Sequence, residues 1–116
     1  MIEVNEYVRT KDGKIDKVIN SNFYMSIYVE CEKGLYLIEN IVKHSKQLID
    51  LIKVRDYVNG HLVVEISKNA YNQKLVITEV DGKDGAIRHH YLEKSIKTVV
   101  TNEQFASIEY KVEEEK

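Results

Sequence analysis

The chain has 116 residues, of which 43% are apolar, and its 17 basic and 19 acidic side chains leave a net charge of −2. This length excludes several large domains and fits one compact body, or two very small units that share an interface. The nearly balanced charge disfavours general binding to duplex nucleic acid, which requires a basic stripe that displaces counterions.

Two sequence features indicate where the protein works. The single cysteine, Cys31, rules out an internal disulfide framework and fits a reducing compartment. The sequence has no run of 18 apolar residues, and its start lacks the basic-then-apolar pattern of a secretory signal. We therefore expect a cytoplasmic protein in which Cys31, late in an apolar run, is a packed thiol.

The first half is predicted to contain five strands and a short helix. Residues 4–9 and 14–19 form a hairpin, because a turn with glycine at Lys11-Asp12-Gly13 separates two apolar runs. Further strands are predicted at residues 23–31, 35–38 and 41–43. Ser45 then caps a short helix over residues 46–51.

The second half repeats this plan. Strands are predicted at residues 53–58, 61–67, 74–80, 87–92 and 96–100, and Asn59-Gly60 is a strong hairpin signal between the first two. Residues 81–85 form a loop tip. Thr101 and Gln104 form a capping box at the start of a helix, and residues 109–112 return as a strand before an acidic tail.

The two halves also share sequence, since residues 4–9 (VNEYVR) return as residues 54–59 (VRDYVN). Five short strands with a tight first hairpin and an irregular turn before the last are typical of an SH3-like barrel. We therefore predict a mainly β protein with a tandem repeat of two small SH3-like five-stranded barrels packed together. The first unit is residues 1–52 and the second is residues 53–116. A short helix after each fifth strand seals one open end or docks one barrel on the other. A single mixed sheet of eight or more strands with two helices is the competing arrangement.

Residue chemistry does not indicate an enzyme, a metal site or a cofactor. No nucleophile motif, carboxylate pair or phosphate-binding loop stands in its usual context. His89 and His90 are adjacent in a predicted strand, so they point to opposite faces and cannot share one metal ion without a bulge. One of them is expected to be half-buried and the other exposed.

Two kinds of binding remain as hypotheses. Basic and aromatic residues of the first hairpin, including Tyr7, Arg9 and Lys17, would suit single-stranded nucleic acid. Protein binding fits more features, because tyrosine is favoured in interfaces and the chain has eight. Tyr7 with Tyr57 and Tyr36 with Tyr91 recur at matched points, as structural residues would. The residues predicted to bind a partner are Lys17, Tyr24, Tyr28, Tyr71, Asp81, Lys83, Asp84 and Arg88.

About half of the chain resembles small prophage and phage proteins of low-GC Gram-positive bacteria, particularly clostridia. The resembling segments are VNEYVRTKDGKI (4–15), NIVKHSK (40–46), DLIKV (50–54), DYVNG (56–60) and SIKTVVTNEQF (95–105). The resemblance implies a phage accessory protein in the cytoplasm of a bacterial host. Small accessory proteins of phages often inhibit host factors, including CRISPR nucleases.

Together these observations predict stoichiometric binding of a host protein, most plausibly as an inhibitor of a host factor or defence system that acts by occlusion. The alternatives are a nucleic-acid-binding SH3-like module and a sponge that binds small nucleotides.

Overall fold

The computed structural model describes residues 2–21 and 27–108. The strands of the first sheet are β1 (Tyr7–Thr10), β2 (Ile15–Asn20), β3 (Tyr28–Cys31), β4 (Gly34–Leu37) and β5 (Ile41–Ser45). They pair antiparallel in the order β4-β3-β2-β1-β5, with a 3₁₀ turn at Ile38–Asn40 before β5. Another 3₁₀ turn, at Leu48–Leu51, leads from this sheet to the next.

The strands of the second sheet are β6 (Tyr57–Val58), β7 (His61–Lys68), β8 (Lys74–Gly82), β9 (Gly85–Tyr91) and β10 (Val99–Val100). They pair antiparallel in the order β10-β6-β7-β8-β9. A 3₁₀ turn at Glu93–Ser95 precedes β10, and the short helix α1 (Asn102–Ile108) follows it. When the strands are numbered within each half, both sheets therefore have the order 5-1-2-3-4.

The prediction of a mainly β protein is confirmed, and the alternative of one mixed sheet is wrong. The prediction of closed barrels is also wrong, because within the described residues no ladder joins β4 to β5 or β9 to β10. The second sheet shows a physical reason. Its fifth strand, β10, has only two residues, which pair with β6. A strand this short does not form a second ladder with β9 on its other edge.

Each sheet covers its own hydrophobic core. Equivalent ladder positions supply both cores, in the pairs Val8 and Val58, Val18 and Val63, Val29 and Val76, and Tyr36 and Tyr91. Ile41 and Ile96 also pack on the cores, and each follows the 3₁₀ turn before the fifth strand. Some equivalent positions differ, because Cys31 is replaced by Thr78 and Glu30 by the buried Ile77. The ladder register therefore matches the two halves residue by residue.

Both first strands begin three or four residues later than predicted, because a turn precedes each of them. Asn5 and Arg55 have positive φ angles of 72° and 82°. In each turn a carboxylate accepts the N–H of the residue three positions earlier, at 3.0 Å for Glu6 and 2.8 Å for Asp56. Side-chain bonding of this kind competes with strand pairing.

The two predicted helices had different outcomes. The segment 46–51 forms the 3₁₀ turn Leu48–Leu51 and no α-helix; the Ser45 hydroxyl accepts the Gln47 N–H at 3.1 Å and donates to Asp50 at 2.5 Å. The predicted capping box is confirmed, since the N–H groups of Thr101 and Gln104 each donate to the other side chain at 3.2 Å. The predicted strand at 109–112 and the acidic tail lie outside the described residues.

A buried ion-pair network joins the two sheets. Arg9 on β1 is fully buried and donates to both carboxylate oxygens of Asp56, at 2.5 and 2.9 Å. It also donates to Glu103 on α1 at 2.6 Å and to the Leu51 carbonyl at 2.8 Å. Asp56 is fully buried as well, so this bidentate pair is shielded from solvent and holds the sheets in one orientation.

Helix α1 contacts both sheets. The Thr101 hydroxyl donates to the carbonyl of Gly13, at the tip of the β1–β2 hairpin, at 2.6 Å. The ring of Phe105 stacks on the ring of Tyr57 at a centroid distance of 4.7 Å. The helix therefore docks one sheet on the other, which is one of the two roles predicted for it.

Candidate partner-binding surface

The eight residues predicted to bind a partner do not form one surface. Tyr24 lies outside the described residues, and the other seven lie in three places: Lys17 and Tyr28 on the first sheet, Tyr71 in the β7–β8 turn, and Asp81, Lys83, Asp84 and Arg88 at the β8–β9 hairpin. The length of β8 separates the second place from the third, by about 27 Å at the usual rise per residue. The predicted residues are therefore spread over three separate places and do not form one cluster.

Two of the predicted residues already have partners within the chain. The Lys17 ammonium lies 5.7 Å from the centroid of the Tyr7 ring. The Arg88 guanidinium lies 3.3 Å from the Glu79 carboxylate on the neighbouring strand. These contacts reduce what either cation gains from a binding partner, because the partner must first displace them.

Tyr71 is the most exposed large side chain of the predicted set, with 85% of its surface accessible. Its turn is well ordered by hydrogen bonds, because the Asn69 side-chain oxygen accepts the N–H groups of Tyr71 and Gln73 at 2.9 and 3.0 Å. The turn therefore presents this ring to solvent on a fixed backbone.

A group of exposed apolar side chains lies on the two faces of the hairpin of β3 and β4. We call it the apolar hairpin, and its residues are Ile27, Tyr28, Leu35 and Ile38, exposed by 63%, 42%, 57% and 44%. Ile27 and Ile38 are neighbours, because the Ile38 N–H donates to the Ile27 carbonyl at 2.7 Å. Grouped exposed apolar residues commonly mark a contact with another molecule.

The apolar hairpin also includes an edge of the first sheet. β4 pairs with β3 on one side and is the last strand of the sheet order. An exposed edge strand offers backbone donors and acceptors to an added strand, and natural proteins usually protect such edges with charge or proline. The side chains of Leu35 and Ile38 provide no such protection.

The second sheet shows that the fold does not require this apolar surface. The cross-strand pair Val29–Tyr36 of the first sheet corresponds to the pair Val76–Tyr91 of the second, and this correspondence identifies the equivalent positions on either side. There, Lys74, His90 and Glu93 stand where the first sheet has Ile27, Leu35 and Ile38. Four valine and tyrosine positions of the core match between the halves and these three exposed positions do not, so packing of the shared core does not explain the apolar residues.

Sequence reasoning selected Tyr28 and missed the other three residues of the apolar hairpin. The run Leu35-Tyr36-Leu37-Ile38 was predicted only to be a strand. A signal was present, because a strand with one buried face needs apolar residues only at alternate positions. Four consecutive apolar residues on a short strand indicate that both faces are apolar.

The surface proposed for nucleic acid is weaker than the sequence indicated. Arg9 is fully buried in the network between the sheets, so it is not accessible to a ligand. Lys14 lies 3.7 Å from the Asp12 carboxylate, and Lys17 is over Tyr7. The first hairpin therefore lacks its arginine at the surface and carries a carboxylate beside one of its lysines.

The chemistry of Cys31 agrees with a packed thiol. The residue is buried, and burial together with the nearby carboxylates of Asp16 and Glu32 raises the pKa of the thiol to about 11. Burial and the hydrogen bond to Asp16 likewise raise the pKa of Tyr36 to about 12. Both groups are therefore protonated at neutral pH.

The histidines differ from expectation in one respect. His89 and His90 pair with consecutive residues of β8, so they point to opposite faces as predicted, but both are exposed. His89 stacks on His61 at a centroid distance of 5.8 Å. Among the residues that the structure describes, no three metal-binding side chains lie close enough to hold an ion.

Comparisons with protein-family models, with curated proteins and with solved structures find no match for this chain. Within residues 2–21 and 27–108, none of the helices combines the length and the apolar character needed to cross a membrane.

Proposed function

We propose that the protein acts by binding a partner protein in a fixed ratio, with the apolar hairpin as the contact. The observation that carries this proposal is the exposure of Ile27, Tyr28, Leu35 and Ile38 on an edge hairpin, where the equivalent positions of the second sheet are mostly polar. Burying such side chains against a partner releases about 25 cal/mol for each Å² of apolar surface.

The proposed biological role is inhibition of a host factor or defence system by a phage-encoded protein. The resemblance of about half of the sequence to phage and prophage proteins supports this role. In this proposal the chain is a tandem pair of SH3-like units, supported by the shared strand order and by the 3₁₀ turn before each fifth strand. The proposed mechanism is occlusion, in which the hairpin covers a functional surface of the host protein.

The test is affinity purification from a clostridial lysate with two matched variants. Leu35→His with Ile38→Glu introduces the residues that the second sheet has at the equivalent positions. The control, Ile87→Glu, changes a residue that is equally exposed, at 51%, on β9. We expect the wild type and the control to retain a common host protein that the double variant loses, and the contact to survive moderate salt because it is apolar.

Two results would contradict the proposal. One is retention of the same proteins by all three baits, which would place the contact elsewhere. The other is recovery of chaperones alone. If the retained material is instead nucleic acid whose binding falls steeply with salt, the nucleic-acid alternative is favoured.

A further inference from the structure

A basic cleft of about 510 Å³ lies where the second sheet meets the segment that joins the two sheets. Its walls come from the turn Leu48–Leu51, the end of the β7–β8 hairpin and the turn Glu93–Ser95. Three lysines and three amides line it: Lys68, Lys74, Lys94, Gln47, Asn72 and Gln73. The cleft is distinct from the apolar hairpin, which is on the first sheet.

The positive charges in this cleft are only partly balanced. Lys68 and Lys74 face each other directly in the β7–β8 ladder, and like charges at such positions destabilise a sheet. Asp50 compensates Lys74, with 2.6 Å between its carboxylate oxygen and the ammonium. Among the described residues, the side chains of Lys68 and Lys94 have no ion pair or hydrogen bond.

The fold does not require two of these lysines, Lys74 and Lys94. The first sheet has Ile27 where the second has Lys74, and Glu39 where the second has Lys94. The same backbone corner is therefore apolar and acidic in one sheet and basic in the other. This difference indicates a role for the lysines beyond folding.

The remaining lining completes a site with a polar rim and an apolar floor. The apolar side chains in the lining are Ile49, which is buried, and Leu92. The Glu93 carboxylate, which would oppose an anion, accepts the Ile49 N–H at 3.1 Å and is held at the wall. Lysines and amide groups together supply donors for an oxygen-rich anion, and the volume is in the usual range for small-molecule sites.

We infer that this cleft binds a small phosphorylated metabolite of nucleotide size. The phosphate groups contact Lys68 and Lys94, whose charges are uncompensated, and the less polar part of the molecule lies on Ile49 and Leu92. A phosphate fits better than a neutral ligand because it relieves the repulsion between the facing lysines.

The experiment is isothermal titration of the intact protein with four probes: ATP, tripolyphosphate, adenosine and a single-stranded oligonucleotide. We expect ATP and tripolyphosphate to bind in low salt and adenosine not to bind, because the phosphates supply the charge. Lys68→Gln with Lys94→Gln should weaken ATP binding by about tenfold or more. The control, Lys11→Gln with Lys83→Gln, removes the same charge from exposed sites outside the cleft and should change the affinity by less than about twofold.

Any of three results would overturn the inference. The first is the absence of ATP and tripolyphosphate binding at millimolar concentration. The second is equal weakening by the two double variants, since this means a general effect of net charge. The third is a preference for a single-stranded oligonucleotide over ATP, since this means that the cleft binds nucleic acid.

All four lysines are exposed, so thermal melting of the variants should match the wild type and exclude misfolding as a cause. Failure here leaves the proposed protein contact unaffected, because that contact uses the apolar hairpin.

Discussion

Gly13 and Gly60 provide a matched pair for testing how the two sheets are joined. Each lies in the turn of the first hairpin of its sheet, and both have positive φ angles, of +88° and +84°. Alanine at either position costs about 1–2 kcal/mol, because a side chain disfavours this backbone conformation. The surroundings differ. A Cβ at Gly13 would lie 2.7 Å from the Glu103 Cβ and against the Thr101 hydroxyl, whereas a Cβ at Gly60 meets no atom within 4 Å.

Gly13→Ala must therefore displace either the hairpin tip or α1. Overpacking of this kind typically costs about 1–3 kcal/mol. The displacement also weakens the buried hydrogen bond from Thr101 to the Gly13 carbonyl, which contributes about 1 kcal/mol. We expect Gly13→Ala to lower the free energy of unfolding by about 3–6 kcal/mol, and Gly60→Ala to lower it by about 1–2 kcal/mol.

Urea unfolding followed by circular dichroism measures both changes, and the slope against urea concentration shows whether the transition remains two-state. The difference between the two variants isolates the contact with α1, because the backbone strain is common to both. Equal losses of stability would refute the reasoning, since they would mean that the hairpin tip does not press on the helix.

Three further predictions concern the interior. Asp56→Ala removes the fully buried, bidentate partner of Arg9 and leaves only the half-buried Glu103 to balance its charge, so it should lower the free energy of unfolding by about 3–5 kcal/mol. The double variant Arg9→Met with Asp56→Leu should lose less stability than Asp56→Ala alone, and a larger loss would contradict this. Burial alone would raise the pKa of Glu103, but hydrogen bonds from its own backbone and from Arg9 outweigh burial and hold the pKa below its usual 4.5. At a pH above the pKa that Glu103 has in the unfolded chain, the ionised carboxylate therefore stabilises the fold, and this stabilisation should be lost as the pH falls below about 5 and through the pKa of the folded state. The melting temperature of Glu103→Gln should therefore decline less steeply with falling pH than that of the wild type. Parallel curves for the two proteins would exclude this contribution. Cys31 should react slowly with a maleimide at neutral pH until urea unfolds the chain, because its thiol is buried and its pKa is raised to about 11; rapid labelling of the native protein would show that the thiol is accessible.

Local chemistry allowed much of the fold to be predicted. Gly13 and Asn59-Gly60 identified both first hairpins, because only residues that tolerate positive φ allow such turns. The Thr101 and Gln104 pair identified the start of α1. The similarity of residues 4–9 to residues 54–59 indicated that the two halves have the same plan, and both sheets do have the same strand order.

The candidate sites were less predictable. Tyr28 of the apolar hairpin was predicted to bind a partner, whereas Leu35 and Ile38 were predicted only as part of a strand, because periodicity does not show which apolar face stays exposed. The basic cleft was not predicted at all. Lys68 and Lys94 are far apart in the chain, and only the return of β9 beside β8 brings their elements together.

Arg9 shows which features can be predicted from local sequence and which depend on tertiary packing. Turns, caps and strand alternation could be predicted from the sequence, because each depends on residues within a few positions of one another. The duplicated plan could be predicted because the two halves share sequence. By alternation alone, Arg9 belongs on the solvent face of β1. Its partner Asp56 is 47 residues away, and packing of the second sheet and α1 removes Arg9 from water. The burial of Arg9 therefore depends on tertiary packing, because the residues that cover this face of β1 come from the other half of the chain.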